Sequence, residues 1–480
     1  MKQLFFVKPP IQGTVKTRLA RYTGPAKATE IYRSIMESVI ARFSPGSCCL
    51  YVSGEDREGY FQSRFPEIPR FQQSGENLGL RMGLALLESA NRWPSESLLL
   101  TGSDIPAYHP DIAALAADKL QYSDAVLIPS TDGGYTTIGI RGGLIDASRL
   151  PAQDAAPDQP AIGARPEQTG DASGAAQTLS SDEFLDLFRQ IPWSTSSVLK
   201  IQKQKLELIG LSVSVMEPLE DLDDARDLHS LFRKGLLPEK AATLVRELPR
   251  IALLLPVYNE VENLDYVLTP LMQAGFFRYI VCADNNSTDG SADKARQLGA
   301  LVSHCSRRGY GSTCLAGMEL LNGYADWDIL LYMDADGSDD PADLESVLGP
   351  VVSGEADFCI GARTTGVLLP HQKFGNWLAT FLIRLLYGYS YRDLGPFRAI
   401  RRGPLNKLRM DDPDFGWTVQ MQIRALKHRL SITEVPVMSR KRYAGRSKVS
   451  ATIRGSVLAG WIILRTVFRE FLLNKKESGV

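Results

Sequence analysis

The chain is poor in several residues on which specialised folds depend. Of 480 residues, 6 are Cys and 5 are His. Cys48 and Cys49 are adjacent and the others are scattered, so no pair has the spacing of a structural zinc site or a disulfide framework. They read as buried free thiols in a reducing compartment. Lys and Arg total 54 against 55 Asp and Glu, a formal net charge of −1, which removes the case for bulk nucleic-acid binding. No uninterrupted apolar run reaches the roughly 18 residues that signal a membrane span. The most apolar stretch, 455–473, is interrupted by Arg465, Arg469 and Glu470, and the shorter 377–389 by Arg384. Both suit the surface of a membrane instead. Leu4 to Val7 is stopped by Pro9-Pro10, so it reads as a first strand rather than a signal sequence. The expected location is cytoplasmic, with peripheral contact at the cytoplasmic face of a membrane.

What is present is strand–helix alternation, run through twice. A chain of this length exceeds one ordinary core. In the first half, strands are expected at 3–7, 48–53, 97–101, 125–129 and 136–140, with helices at 26–43, 78–89 and 111–120. In the second, strands are expected at 251–256, 279–283, 328–333 and 358–361, with helices from Asn259-Glu260 to about Ala274 and from Asp340-Pro341. This alternation predicts α/β domains with mostly parallel sheets, whose ligands lie at the carboxyl ends of strands. The segment 151–181 is rich in Ala, Pro, Gln, Gly and Asp and reads as a disordered insertion. The boundaries expected are 1–234 for the first domain, 235–249 for a helical linker, 250–453 for the second domain and 454–480 for an amphipathic terminal helix.

Chemistry-bearing residues collect at strand ends in both halves. In the second, Asp334 and Asp336 flank one residue directly after the buried run Ile329 to Met333, and Asp284 ends another strand. Paired carboxylates suit Mg²⁺ or Mn²⁺, a hard cation that takes carboxylate oxygens and substrate phosphates and offsets charge growing on a nucleoside diphosphate leaving group. The cations Arg440, Lys441, Arg442, Arg446, Lys448 and Arg454 match phosphate oxygens, with Arg446 and Lys448 preferred. In the first half, the loop 8–18 carries Lys8, Lys16 and Arg18 without the spacing of a Walker loop. Asp104 and Asp132 follow strands there, Asp104 being the metal candidate, and Asp223 lies in an acidic closing segment.

The second half resembles the inverting GT-A glycosyltransferases of family 2, in particular the dolichyl-phosphate mannose synthase and polyprenyl-phosphate group. The segments that carry the resemblance are Leu255 to Glu260, Ala283 to Gly290, Arg308 to Gly311, Met333 to Pro341, Phe397 to Ile400, Glu434 to Val437 and Arg442 to Lys448. The resemblance implies that Pro256, Tyr258, Glu260 and Asp284 line a base and ribose pocket, that Gly309 and Gly311 admit the donor, and that Asp334 and Asp336 handle metal and diphosphate. It implies a UDP- or GDP-linked sugar donor and a polyprenyl phosphate or other lipid-linked acceptor. Asp393 is the acceptor-side carboxylate expected from it. Position 420, where relatives with the Phe-Gly-Trp-Thr-Val stretch carry Glu, is Gln here. The first half resembles the GT-A-like DUF2064 transferase family through Lys8-Pro9-Pro10, Lys16 to Leu19, Gly75 to Met82, Gly102 to Pro106, Asp132 to Tyr135 and Pro192 to Thr195. The two resemblances together imply a bifunctional glycosyltransferase of hexosyl-transferring type. In the alternatives, the first domain is a sugar nucleotidyltransferase that supplies the donor, or a non-catalytic scaffold that binds it.

Overall fold

The computed structural model describes residues 1–56, 58–146, 178–364, 370–445 and 453–477. The chain divides into two compact units, one formed by Met1–Val15, Thr29–Leu222 and Gly235–Ala242, the other by Lys16–Ala28, Asp223–Lys234 and Thr243–Val480. The segments 16–28 and 223–234, which the sequence places in the first domain, therefore cluster with the second unit. The expected linker contains the helix Glu239–Arg246.

The first unit is built on β1 (Lys2–Val7), β2 (Cys48–Val52), β3 (Arg70–Gln72), β4 (Leu98–Gly102), β5 (Ala125–Pro129), β6 (Tyr135–Ile140) and β9 (Val213–Val215). They form a seven-stranded sheet in the order β3-β2-β1-β4-β6-β5-β9. Only β6 runs antiparallel, and it pairs with β4 and β5. β1 is buried through nearly its whole length because it lies mid-sheet, covered on both faces, so its run of large apolar residues needs no polar alternation. A small parallel pair joins β7 (Ile145–Asp146) to β8 (Leu179–Ser180). The end of the expected insertion is thus ordered, and Ser180 opens the next helix through a reciprocal capping box with Glu183. The remainder of the insertion falls outside the described residues.

The second unit repeats the topology with β10 (Ile251–Val257), β11 (Phe277–Asp284), β12 (Leu301–His304), β13 (Ile329–Tyr332), β14 (Phe358–Arg363), β15 (Arg398–Arg401) and β16 (Ile432–Val437). The order is β12-β11-β10-β13-β15-β14-β16, and β15 alone is antiparallel to its neighbours. β10 is central, between β11 and β13. Helix Tyr310–Asn322 packs on β10 and β11 at Gly317, where a Cβ would lie 2.6 Å from Leu254 Cδ1. The parallel strands β10, β11 and β13 all end at one edge, so Asp284 and Asp334 are delivered to the same side of the sheet. This is the carboxyl-end geometry at which such sheets bind ligands.

The glycines of the Asp132-Gly133-Gly134 motif show how the first fold is locked. Gly133 has φ +94° and passes so close to the turn that leads into helix Val198–Leu208 that a Cβ would meet Ser196 O at 2.3 Å. Gly54 has φ +78° with nothing within 4 Å of a built Cβ. Gly54→Ala therefore carries only backbone strain, about 1–2 kcal/mol, whereas Gly133→Ala adds a backbone clash for a total of about 2–5 kcal/mol. Urea unfolding midpoints of the two variants should separate in that order.

Candidate active site

A cavity of about 450 Å³ opens at the carboxyl edge of the second sheet. Pro256 and Tyr258 at the end of β10, Asn285 after β11, and Asp334 and Asp336 after β13 line it. Gly309, Tyr310 and Thr313 enter from the start of the next helix, and Glu260, Arg308, Phe415 and Arg442 complete the wall. Of the donor residues expected from sequence, Pro256, Tyr258, Glu260 and Gly309 are here. Arg308 lies over the Tyr258 ring at 5.0 Å, a flat cationic and aromatic surface.

The acidic loop is held by specific bonds. The Asp334 backbone N–H donates to Asp339 Oδ2 at 2.9 Å, and Ser338 N–H donates to Asp336 Oδ1 at 2.9 Å. Asp340 caps the turn that follows, accepting from Ala342 N–H at 2.9 Å. The chain from Met438 to Ala444 straps this loop down. Arg440 N–H donates to Ser338 O, Tyr443 N–H donates to Asp336 O, and the Tyr443 ring stacks on Tyr266 with centroids 4.1 Å apart. The strap delivers Arg442, which donates to Glu260 at 2.9 and 2.7 Å and pairs with Asp336 at 3.0 Å. Arg446 and Lys448 lie outside the described residues.

Carboxylates dominate the electrostatics. On the wall, Glu260, Asp334 and Asp336 face Arg308 and Arg442, and Asp339 and Arg363 act on Asp334 from nearby. Burial, followed by repulsion from Asp339 and Asp336, holds the Asp334 carboxyl well above the usual carboxylate range. Burial also pushes Asp339 up to about 7. Clustered acids that retain protons this strongly form a site suited to a cation. Among the described residues, no group of three or more His, Cys, Asp or Glu is arranged to hold a metal by protein ligands alone. Asp334 and Asp336 are two carboxylates on this wall, so a divalent ion held by them would take its remaining ligands from water or substrate.

Several residues expected at the site lie off the cavity wall or are held by the chain itself. Asp393 is buried at 3 % exposure and does not line the cavity. It forms a bidentate pair with Arg363 at 2.6 and 2.8 Å, and Leu394 N–H also donates to it. That closed geometry orients Arg363 and leaves no acceptor-facing base. Asp284 is also buried and is not part of the wall; its neighbour Asn285 is. Asp284 Oδ2 accepts from Ser287 N–H at 3.3 Å, while Oδ1 is buried with no hydrogen-bond partner. Gly311 is required by the chain itself, because a Cβ there would lie 1.9 Å from Asp412 O. Gly309 lines the cavity but is likewise pressed against Pro413 O.

Gln420 is fully buried in the helix Trp417–Lys427, away from the cavity wall. Its Oε1 accepts from the Asp411 and Asp412 N–H groups at 3.1 and 3.0 Å, and its Nε2 donates to Asp411 Oδ1 at 2.6 Å and Glu470 Oε1 at 3.1 Å. Only an amide both accepts and donates in this way; a carboxylate here would face two others. Sequence reasoning missed Asn285, Tyr310, Thr313 and Phe415 as wall residues. The Phe-Gly-Trp-Thr-Val stretch was the available signal for Phe415, though it drew attention to position 420 instead.

In the first unit, β1 and β4 are parallel and β6 starts opposite the end of β4, so Lys8, Asp104 and Asp132 share one edge of the sheet. Lys8 Nζ donates to Thr14 O at 2.8 Å. Asp132 Oδ1 accepts from Ser130 Oγ and from Gly134 N–H, an Asx-type turn. Lys16, Arg18 and Asp223 belong to the other unit, where Asp223 pairs with Lys16 at 3.2 Å and Arg18 at 3.7 Å. Asp223 is therefore matched to cations of the chain rather than poised as a metal ligand.

The Gln420 network generates a prediction. Gln420→Glu loses both donors and adds a buried carboxylate beside Asp411 and Glu470, so it should cost about 2–4 kcal/mol at neutral pH. The loss should shrink in acid, as read from urea midpoints across pH.

Two family models match the chain: "Uncharacterized protein conserved in bacteria (DUF2064)" over residues 37–152 and "Glycosyl transferase family 2" over residues 252–409. An uncharacterized glycosyltransferase of Mycobacterium tuberculosis is 34% identical over 212 residues, spanning 44% of this chain and 94% of that protein. The polyprenol monophosphomannose synthase of Mycolicibacterium smegmatis is 30% identical over 230 residues, 43% of this chain and 84% of the relative. The solved glucosyl-3-phosphoglycerate synthase of M. tuberculosis, in complex with Mn²⁺, UDP and glucosyl-3-phosphoglycerate, is 19% identical, covers 51% of this chain and 83% of that one, and has a TM-score of 0.40. The two halves thus share one α/β strand order, residues 37–152 match DUF2064, and through its second half, a nucleotide-sugar-dependent glycosyltransferase domain, the chain belongs to glycosyltransferase family 2.

Proposed function

We propose that the second unit transfers a hexosyl group, with inversion, from a UDP- or GDP-linked sugar to a polyprenyl phosphate. The observation that carries this reading is the convergence of Asp334, Asp336 and Arg442 on one cavity with Tyr258 and Arg308 on its wall. Asp334 and Asp336 would hold Mg²⁺ or Mn²⁺, which supplies charge neutralisation on the departing diphosphate. Arg442, forked between Glu260 and Asp336, stands where a diphosphate oxygen would compete for its N–H groups. A lipid phosphate is already anionic, so loss of Asp393 as a candidate base does not count against this acceptor. Two relatives are named for such acceptors: the polyprenol monophosphomannose synthase above and an undecaprenyl-phosphate mannosyltransferase of Micrococcus luteus.

The lipid acceptor is supported by two helices of the same unit. Helix Pro370–Tyr387 exposes Phe374, Trp377, Phe381 and Leu385, and helix Ile453–Glu477 exposes Trp461, Phe468 and Leu472. Among the described residues, no helix is long and apolar enough to cross a membrane. An amphipathic face of this kind, with Arg384 and Arg465 exposed on the same helices, fits peripheral contact with anionic lipid.

The first unit, with the same strand order, is read as a second transferase. The turn bonds of Asp132 favour a second reading in which it only binds sugar nucleotide or acts as a scaffold. Pyrophosphate release from a nucleoside triphosphate would instead identify a nucleotidyltransferase.

The test is nucleoside diphosphate release from a donor panel, with and without undecaprenyl phosphate. D334A/D336A should lose lipid-dependent release by about 10²-fold or more, and D104A/D132A should keep it while losing any separate activity of the first unit. Turnover indifferent to lipid phosphate would sink the acceptor. Metal should also be visible in stability. Asp339 rises in the fold from 3.8 to about 7, so the folded state binds the proton more tightly than the unfolded chain. Its contribution is complete below about pH 4 and is lost as pH rises through about 7. Thermal melts of metal-free protein should decline over that window. Asp339→Asn should flatten the decline, and added Mn²⁺ should offset it.

A further inference from the structure

The loop 411–415 joins the cavity to the terminal helix. On one side it is pressed into the start of helix Tyr310–Asn322. Ser312 N–H and Oγ donate to Pro413 O at 2.8 and 3.1 Å, and Gly311 N–H donates to Asp414 O at 3.2 Å. That helix start presents Gly309, Tyr310 and Thr313 to the cavity, and the loop itself presents Phe415. On the other side the loop is gripped by helix Ile453–Glu477. Thr466 Oγ1 donates to Asp412 Oδ2 at 3.0 Å. Gly416 leaves the space for this bond, since a Cβ there would lie 2.2 Å from Thr466 Oγ1.

Glu470 is the second grip. It accepts from Gln420 Nε2 at 3.1 Å, Arg424 Nη2 at 2.8 Å and Lys427 Nζ at 2.9 Å. Arg424 also donates to Asp411 Oδ1 at 2.8 Å, and Gln420 binds both loop N–H groups. Thr466, Val467 and Glu470 are buried, while Trp461, Arg465, Phe468 and Leu472 face outward from the same helix. One rigid element therefore has a polar inner face bonded to the cavity loop and an apolar, cationic outer face.

We propose that Thr466 and Glu470 are positioning residues that couple seating of the terminal helix on an anionic lipid surface to the conformation of loop 411–415, and so to the Phe415 wall of the cavity. The occupant of the outer face is a bilayer rather than a protein groove. Its exposed residues combine large apolar side chains with a cation, and Glu470, the acid among the described side chains of that helix, is turned inward and neutralised. The inference rests on the lipid-acceptor reading for its purpose, but not for its measurement.

The experiment uses the full chain and vesicles of phosphatidylcholine with phosphatidylglycerol. Amide hydrogen exchange is followed across 409–416, without donor or acceptor. In the wild type, vesicles should slow exchange there by about tenfold. Thr466→Val and Glu470→Gln should sediment with vesicles as before yet lose most of that protection, and Thr466→Ser, which keeps the hydroxyl donor, should regain it. In turnover with vesicles present, Thr466→Val should lower kcat/KM for the nucleotide-sugar donor about tenfold, because the loop lines the donor cavity. Vesicle binding with no change in loop exchange overturns the proposal. So does failure to bind vesicles, or protection in Thr466→Val equal to the wild type. A wild-type protein that shows the exchange coupling but no lipid-dependent turnover would retain the coupling and refute the acceptor instead.

Discussion

The second unit depends on keeping several carboxylates together at the end of one sheet. Like charges at such spacing repel, and burial makes each costlier to ionise. The fold offsets this in two ways: Arg363 and Arg442 are brought to the acids from distant segments, and Asp334 and Asp339 are held with raised proton affinity. The strap 438–444, the Asp339 bond to Asp334 N–H and the Asp340 cap all preserve this arrangement.

A second constraint is steric. The helix that closes the donor side begins at Gly309 and Gly311, and both are pressed against the backbone of residues 412–414. The cavity wall is therefore a joint between segments about a hundred positions apart, and the same loop is bonded to the terminal helix. Glycines that look like room for a substrate are, in this chain, largely room for itself.

Much of the fold was legible. The long apolar runs of β1, β10 and β13 and the acids that follow them announce central strands of an α/β sheet with ligand-side ends. The short strands β3, β9 and β12 were missed. So were β15 and β16, whose residues were recognised as motifs and not as strands, because runs of three to six residues with mixed polarity carry little periodic signal. Among site residues, those fixed by backbone position were readable: Pro256 lies near the end of β10, Tyr258, Asp334 and Asp336 follow strand ends, and all four lie on the cavity. Those whose role depends on side-chain direction were not. Asp393 turns inward to Arg363, and Gln420 occupies a buried helical position that binds the 411–412 backbone.

The sequence by itself determined two α/β units, the strand ends that carry acids and the chemical class of ligand those acids suit, because strand periodicity and local spacing are properties of neighbouring residues. Tertiary structure alone decided which charges meet. Arg442 reaches Glu260 and Asp336, Arg363 closes on Asp393, and Glu470 gathers Gln420, Arg424 and Lys427 from another helix. These pairings span tens to hundreds of positions and are set by how sheet edges and helices pack, which no local pattern in the chain encodes.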